Sequence, residues 1–316
     1  MQPFVFIVGC ARSGTTLLQR IVDAHPQIAI TPELHWITDH FRQRRWLAPD
    51  GRVTRAQVAK MVQNQKRFSQ LEFSREEFEG LLDSGETVPY RAFLNGIFAL
   101  YGKHQGKQLV GNKTPAYVRR IRTLHALWPQ AKFVHLIRDG RDVGLSVLNW
   151  HHADRTAGRY SIWAEDPVST VALWWKCKVR LGREAGQPLG PDLYYEMRYE
   201  ALVAQPADAC TRLCAFLGVP YDEAMLRFHE GRTRTEPGLD AKESWRPITA
   251  GLRDWRAQMP AEDVERFEAV AGDLLDELGY VRGCARPSPH ILKQAAQLRD
   301  RFTQELPSAK AIPKGL

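Results

Sequence analysis

Gly9-Cys10-Ala11-Arg12-Ser13-Gly14-Thr15-Thr16 is the stretch on which the fold turns. Ahead of it, residues 4–8 (FVFIV) make a compact apolar strand. Behind it, residues 15–24 set Leu17, Leu18, Ile21 and Val22 at helical spacing on one face. His25-Pro26 ends that helix, because the residue before a proline avoids helical backbone. A strand, a glycine turn and a helix in that order open an α/β nucleotide-binding fold. The G-x-x-x-x-G spacing lets backbone N–H groups turn inward at a helix N-terminus. There the helix dipole and those donors favour an anion. The competing reading is a tight strand–helix turn that binds nothing.

The loop departs from an ATPase loop in one informative place. Where G-x-x-x-x-G-K-[ST] needs its lysine, this chain has Thr15. Triphosphate chemistry would then lack its main charge clamp. The cation is Arg12 instead, and Ser13, Thr15 and Thr16 add hydroxyl donors. The combination suits a shorter 5′ anion.

Working outward, residues 132–137 form a second buried-type strand that runs into Arg138-Asp139-Gly140-Arg141-Asp142. A helix over about 141–150 carries Ser146. Arginine offers a planar fork that matches phosphate oxygens, and a serine just downstream adds a hydroxyl. Asp139 and Asp142 would repel a phosphate, so they are expected to face away, capping the helix. The competing reading is a surface charge cluster. A third strand is expected at 193–198, with helices near 117–127, 206–217 and 261–278. Residues 35–106 are polar and rich in Arg and Gln. Helical stretches near 54–68, 74–83 and 89–102 mark them as a helical insertion, a cap on the acceptor side. Beyond residue 282 the pattern weakens into a linker (283–288), a short basic helix (290–305) and a tail (306–316). The expected class is α/β, a P-loop-like, mainly parallel sheet flanked by helices, with one domain over 1–282.

The composition agrees with a folded chain. Of 316 residues, 44% are apolar and 25% charged, which excludes a collagen, a disordered tail and a disulfide-stapled miniprotein. The formal charge of +8 points to an anionic ligand, nucleic acid or an acidic membrane surface without choosing among them. The five cysteines are odd in number and contain no C-x-x-C pair, which fits a reducing, cytoplasmic location. Cys210 and Cys214 read as core neighbours. The first residues show no basic n-region followed by an apolar h-region, so no signal peptide is expected. No run of 18 apolar residues is present to span a membrane.

Arg12-Ser13-Gly14-Thr15-Thr16-Leu17-Leu18, followed by Asp23-Ala24-His25-Pro26, resembles the 5′-phosphosulfate loop of sulfotransferases that use 3′-phosphoadenosine 5′-phosphosulfate (PAPS). The strand ending in Arg138, with Ser146 eight residues on, resembles the same family's 3′-phosphate site. With gaps, the resemblance runs from about Phe4 to Tyr280. It implies that Arg12, Ser13, Gly14, Thr15, Thr16, Arg138 and Ser146 bind the nucleotide. Tyr199, in a Tyr-Glu-x-Leu segment, would lie near it unless it is a core tyrosine.

Sulfuryl transfer needs an attacking acceptor, charge offset on the leaving oxygen and removal of the acceptor's proton. Gly111-Asn112-Lys113-Thr114-Pro115 resembles the Asn-Lys-x-Pro segment of the tyrosylprotein-type enzymes, which puts Lys113 near the scissile bond. Arg12 would help it. In the same enzymes a Glu at the offset of Glu33 takes the proton, and burial would have to raise its pKa toward neutrality. His35 is the competitor, since its ordinary pKa already suits the role, and His151 and His152 are weaker rivals. Lys242, Ser244, Arg253 and Arg256 are candidates to cover the 3′-phosphate, although Asp254 stands where the tyrosylprotein type has Lys. Trp174 and Trp175 read as core.

The resemblance implies a metal-independent enzyme that moves a sulfuryl group from PAPS to a hydroxyl, less readily an amine, and releases 3′-phosphoadenosine 5′-phosphate (PAP). The acceptor would be a small molecule, carbohydrate or peptide, and a basic rim would suit an acidic or phosphorylated one. No nucleic-acid partner and no stable membrane insertion are expected. Two other readings stay open: a P-loop kinase or NTPase, and a non-catalytic basic protein that binds anions or nucleic acid.

Overall fold

β1 (Val5–Gly9) is the middle strand of a five-stranded sheet, and every one of its residues is buried. A strand covered on both faces shows no polar alternation, which is why residues 4–8 read as one apolar run. The computed structural model describes residues 4–43, 47, 51–54, 56–58, 68–81, 87–230, 247–249 and 253–306.

The chain continues through α1 (Thr15–Asp23), β2 (Ile28–Thr31), α2 (Trp36–Gln43), β3 (Arg52–Thr54), α3 (Arg75–Gly80), β4 (Thr87–Pro89), α4 (Tyr90–His104) and β5 (Leu109–Lys113). It then runs through α5 (Ile121–Leu127), β6 (Lys132–Ile137), α6 (Gly140–Leu148), α7 (Pro167–Gly186), β7 (Tyr194–Arg198), α8 (Tyr199–Ala204) and α9 (Pro206–Leu217). Three helices close it: α10 (Trp255–Gln258), α11 (Ala261–Glu277) and α12 (Pro289–Gln304). The sheet order is β2-β5-β1-β6-β7, with every pair parallel.

Alternate residues of β1 serve opposite faces. Phe6 and Val8 join an aromatic-rich cluster with Phe98 of α4 and Trp128, and Phe6 stacks on Phe133 at 5.6 Å. Val5 and Ile7 pack on the other face with Leu18 and Ile21 of α1 and Leu213 of α9. A third cluster joins α6, α7 and α11, and Ala295, Leu298 and Phe302 bring α12 into it. Cys210 and Cys214 are core residues, as read, and so are Trp174 and Trp175. No helix among the described residues is long and apolar enough to cross a membrane.

Two expectations need correction. Three strands were expected in the sheet and there are five, because β2 is only four residues long and β5 carries Gly111 and Asn112. Gly111 is required there: a Cβ would lie 2.5 Å from the Val5 carbonyl oxygen and 2.7 Å from Ile30 Cδ1. The insertion is not purely helical, since β3 and β4 pair antiparallel, Val53 opposite Val88. Three-residue strands are too short to show a period. The stretches expected near 54–68 and 74–83 lie partly outside the described residues, while the one near 89–102 is α4. The tail from 307 onward also lies outside them. The segment read as a linker is tied down, with the Gly283 and Cys284 N–H groups donating to Glu268 at 2.8 and 3.0 Å.

Candidate active site

Each strand of the sheet delivers one candidate residue at its carboxyl end. The loop holding Arg12 and Gly14 follows β1, and Glu33 lies two residues past β2. Lys113 is the last residue of β5, Arg138 follows β6 and Tyr199 follows β7. Parallel α/β sheets bind ligands at this edge.

The first loop has the backbone its glycines suggested. Gly14 sits at φ +91°, and Arg12 also takes a positive φ, +73°. Gly14 is the N-cap of α1 and no side chain caps that helix, so its first N–H groups face the loop. The motif residues behind the loop work structurally. Asp23 Oδ1 accepts from Ile30 N within β2 (2.8 Å) and ties the end of α1 to that strand, while His25 Nε2 meets the Pro220 carbonyl (2.8 Å).

Tyr199 wedges between this loop and Arg138. A Cβ on Gly14 would lie 2.5 Å from the Tyr199 ring, and the Arg138 guanidinium covers the same ring at 4.3 Å. Trp175 Nε1 donates to the Arg138 carbonyl (3.2 Å) from behind. Asp139 caps α6, accepting from Arg141 N (2.9 Å), as expected. Asp142 does not face away. It accepts from Arg138 Nη2 (3.3 Å) and from Trp255 N (2.9 Å), so it steadies the arginine. Burial pushes the Asp142 carboxyl up, against the pull of Arg138.

Arg12 reaches across to the second cradle. Its Nε donates to Ser146 Oγ at 3.0 Å, and its guanidinium lies 4.9 Å from the Trp150 ring. The two anion cradles therefore meet through Arg12 rather than standing apart. Burial, then the charges of Arg253 and Arg138, lower its pKa. Arg253 is thus the candidate from 240–256 that approaches this cluster. Arg256 lies against Trp255, and Lys242 and Ser244 are outside the described residues. Trp150 was missed; the His152 ring meets it edge-on at 5.8 Å, and the His151 and His152 centroids lie 4.1 Å apart.

Across the loop, Lys113 Nζ is 2.5 Å from Glu33 Oε1 and 3.4 Å from Thr16 Oγ1. His35 Nε2 donates to Glu33 Oε2 at 2.9 Å. Glu33 and His35, read as rivals, are therefore bonded to each other. Burial pushes the Glu33 carboxyl up, but the His35 bond and the Lys113 charge outweigh it and hold the pKa well below the usual carboxylate range. The expected rise toward neutrality does not occur, because Lys113 and His35 both sit on the Glu33 carboxylate.

The cradles suit a doubly charged nucleotide. Ser13 Oγ and Arg138 Nε are buried and have no hydrogen-bond partner among the described residues. Buried donors of that kind are costly unless a ligand meets them. Beside the insertion, burial and the charges of Arg42 and Arg119 bring the Arg120 pKa down to about 10, and Asp39 lies 3.7 Å from it.

Comparison with known proteins gives a consistent picture. The model of the sulfotransferase family matches residues 3–223. The chain is 24% identical over 318 residues to protein-tyrosine sulfotransferase 1 of Danio rerio, covering 97% of this chain and 81% of that protein. It is 28% identical over 300 residues to the nodulation protein NoeE of Sinorhizobium fredii, covering 87% of this chain and 65% of NoeE. The sulfotransferase domain of the Synechococcus PCC 7002 olefin synthase shares the fold. Its TM-score is 0.56 at 23% identity, with 97% of this chain and 96% of that one covered.

Proposed function

The chain belongs to the sulfotransferase family, and on that footing we propose that it moves a sulfuryl group from PAPS to an acceptor hydroxyl, in line and without a metal. The observation that carries this reading is the Glu33–Lys113 pair beside Thr16, at the strand ends that also hold Arg12 and Arg138. It supports the reading because a carboxylate and a cation side by side there suit a base and a charge partner for one reacting centre.

Arg138, Ser146 and Arg253 hold the 3′-phosphate, while Ser13, Thr15, Thr16 and the first N–H groups of α1 hold the 5′ end. Arg12 serves both. The acceptor oxygen attacks sulfur, and the bond from sulfur to the 5′-phosphate oxygen breaks with its electron pair left on that oxygen. Lys113 and Arg12 offset the developing charge. The acceptor's proton passes to Glu33, and PAP departs. Turning Lys113 from Glu33 toward the leaving oxygen removes a cation from the carboxylate, so its pKa rises when a base is needed. His35 stays as the partner that orients it.

Residues 35–106 leave the sheet just after Glu33 and return just before Lys113, and we assign them to the acceptor side. The arginines around Arg120 favour an acceptor that carries negative charge, whether small molecule, carbohydrate or peptide. Thermal-shift titration tests the donor assignment: PAP should stabilise the protein at concentrations where AMP does not. Equal response to AMP, or magnesium-dependent turnover of ATP, would sink it.

A further inference from the structure

We propose that Asn112 and Thr114 are positioning residues that keep Glu33 and Lys113 in register by pinning the peptide groups on both sides of Glu33. The proposal rests on the transfer reading above. Asn112 Nδ2 donates to the Pro32 carbonyl (2.8 Å) and to Thr31 Oγ1 (2.9 Å). Asn112 Oδ1 accepts from Thr114 Oγ1 (2.8 Å), and Thr114 Oγ1 accepts in turn from Leu34 N (3.2 Å). The side chains flanking Lys113 are thereby bonded to the backbone flanking Glu33.

The sheet cannot supply this control. The β2–β5 ladder ends at the pair Thr31–Asn112, and Glu33 lies two residues beyond it. The clamp takes over where the ladder stops. Thr114 continues the extended backbone of β5 (φ −136°, ψ 101°), so residues 112 and 114 point to the face opposite the Lys113 side chain. The clamp therefore sits behind the reacting pair. Asn112, Thr114 and Thr31 are all fully buried. Flipping the Asn112 amide would set its oxygen against the Pro32 carbonyl and Thr114 against a second donor, so the network admits one orientation. A buried network satisfied at every member is rigid, and displacement of a reacting group by about 1 Å costs on the order of 100-fold in rate.

The test compares Thr114→Val, which is isosteric and lacks the hydroxyl, with Thr114→Ser, which keeps it. Turnover is read as PAP released from PAPS, with and without a simple phenol as acceptor, and PAP affinity is read by calorimetry. In Thr114→Val, kcat should fall roughly 10–100-fold while PAP affinity stays within about twofold of wild type. The acid limb of its kcat/KM profile, which reports the free enzyme, should move to higher pH, because Glu33 loses part of its pairing with Lys113. Thr114→Ser should restore both. A full rate with an unmoved acid limb overturns the proposal. So does a rate loss matched by an equal loss of PAP affinity. If Thr114→Val does not fold, Thr31→Val, which removes a single acceptor, is read against the same two outcomes. A wild-type chain that neither binds PAP nor turns over PAPS sinks the transfer reading instead. The clamp is then judged by a crystal structure of the variant, where an unchanged Glu33–Lys113 contact refutes it and a widened one upholds it.

Discussion

Arg12 Nε donates to Ser146 Oγ at 3.0 Å although 134 residues separate the two in the chain. A hydroxyl assigned to the 3′-phosphate thus orients a guanidinium assigned to both ends of the donor. Ser146→Ala should weaken PAP binding about 10-fold, the worth of one charge-assisted hydrogen bond. It should also lower kcat several-fold, because Arg12 loses its guide. Arg12→Ala should cost more on both counts. Calorimetry with PAP, set beside turnover, checks the pairing; an unchanged kcat in Ser146→Ala would show that Arg12 is held by Trp150 alone.

The Glu33–Lys113 pair makes stability depend on pH with a definite sign. The carboxyl pKa is held below its ordinary value of 4.5 in the folded chain. The stabilisation is therefore complete above about 4.5 and drains away as the pH falls toward the folded value. Glu33→Gln should lower the melting temperature at pH 7, where it strands the Lys113 charge. The gap to wild type should narrow as the pH falls from about 5 to 3. A gap constant across that range would contradict the pairing.

Arg141 is buried in full and bonded to Asp139 (2.7 Å) and Glu268 (2.5 Å), with Trp255 stacked on its guanidinium at 3.6 Å. Removing Glu268 leaves Arg141 paired with Asp139 alone and strips the acceptor from Arg141 Nη1 and from the Gly283 and Cys284 N–H groups, a loss of about 1–3 kcal/mol. Glu268→Ala should show a loss of that size in urea unfolding. The same glutamate also holds the backbone of Gly283 and Cys284, so protease cleavage between α11 and α12 should speed up. A loss below about 1 kcal/mol would mean the network relaxes.

Much of the site could be read in advance because its signals are local. The glycine spacing at 9–14 and the strand-Arg138-helix-Ser146 series each lie within about 15 residues, and backbone chemistry ties them to phosphate. Contacts that depend on distant residues could not be read. Nothing near Glu33 in sequence announces Lys113, 80 residues away, so its pKa was expected to move in the wrong direction. Trp150 carries no motif. Asp142 is a different case: its bond to Arg138, four residues back, is local, but by sequence the carboxylate reads as a charge facing away. β5 stayed hidden because Gly111 and Asn112 are poor strand formers, yet one makes room for Val5 and the other builds the clamp.

The insertion departs from β2 and rejoins at β5, and these two strands are neighbours at one side of the sheet. Length changes between α2 and α4 therefore reorder no strand of that sheet, whereas α4 itself is core, its Phe98 packed against Phe6 of β1. Exchange of the stretch between α2 and α4 among relatives should transplant acceptor preference as a cassette, with donor recognition inherited unchanged from the host.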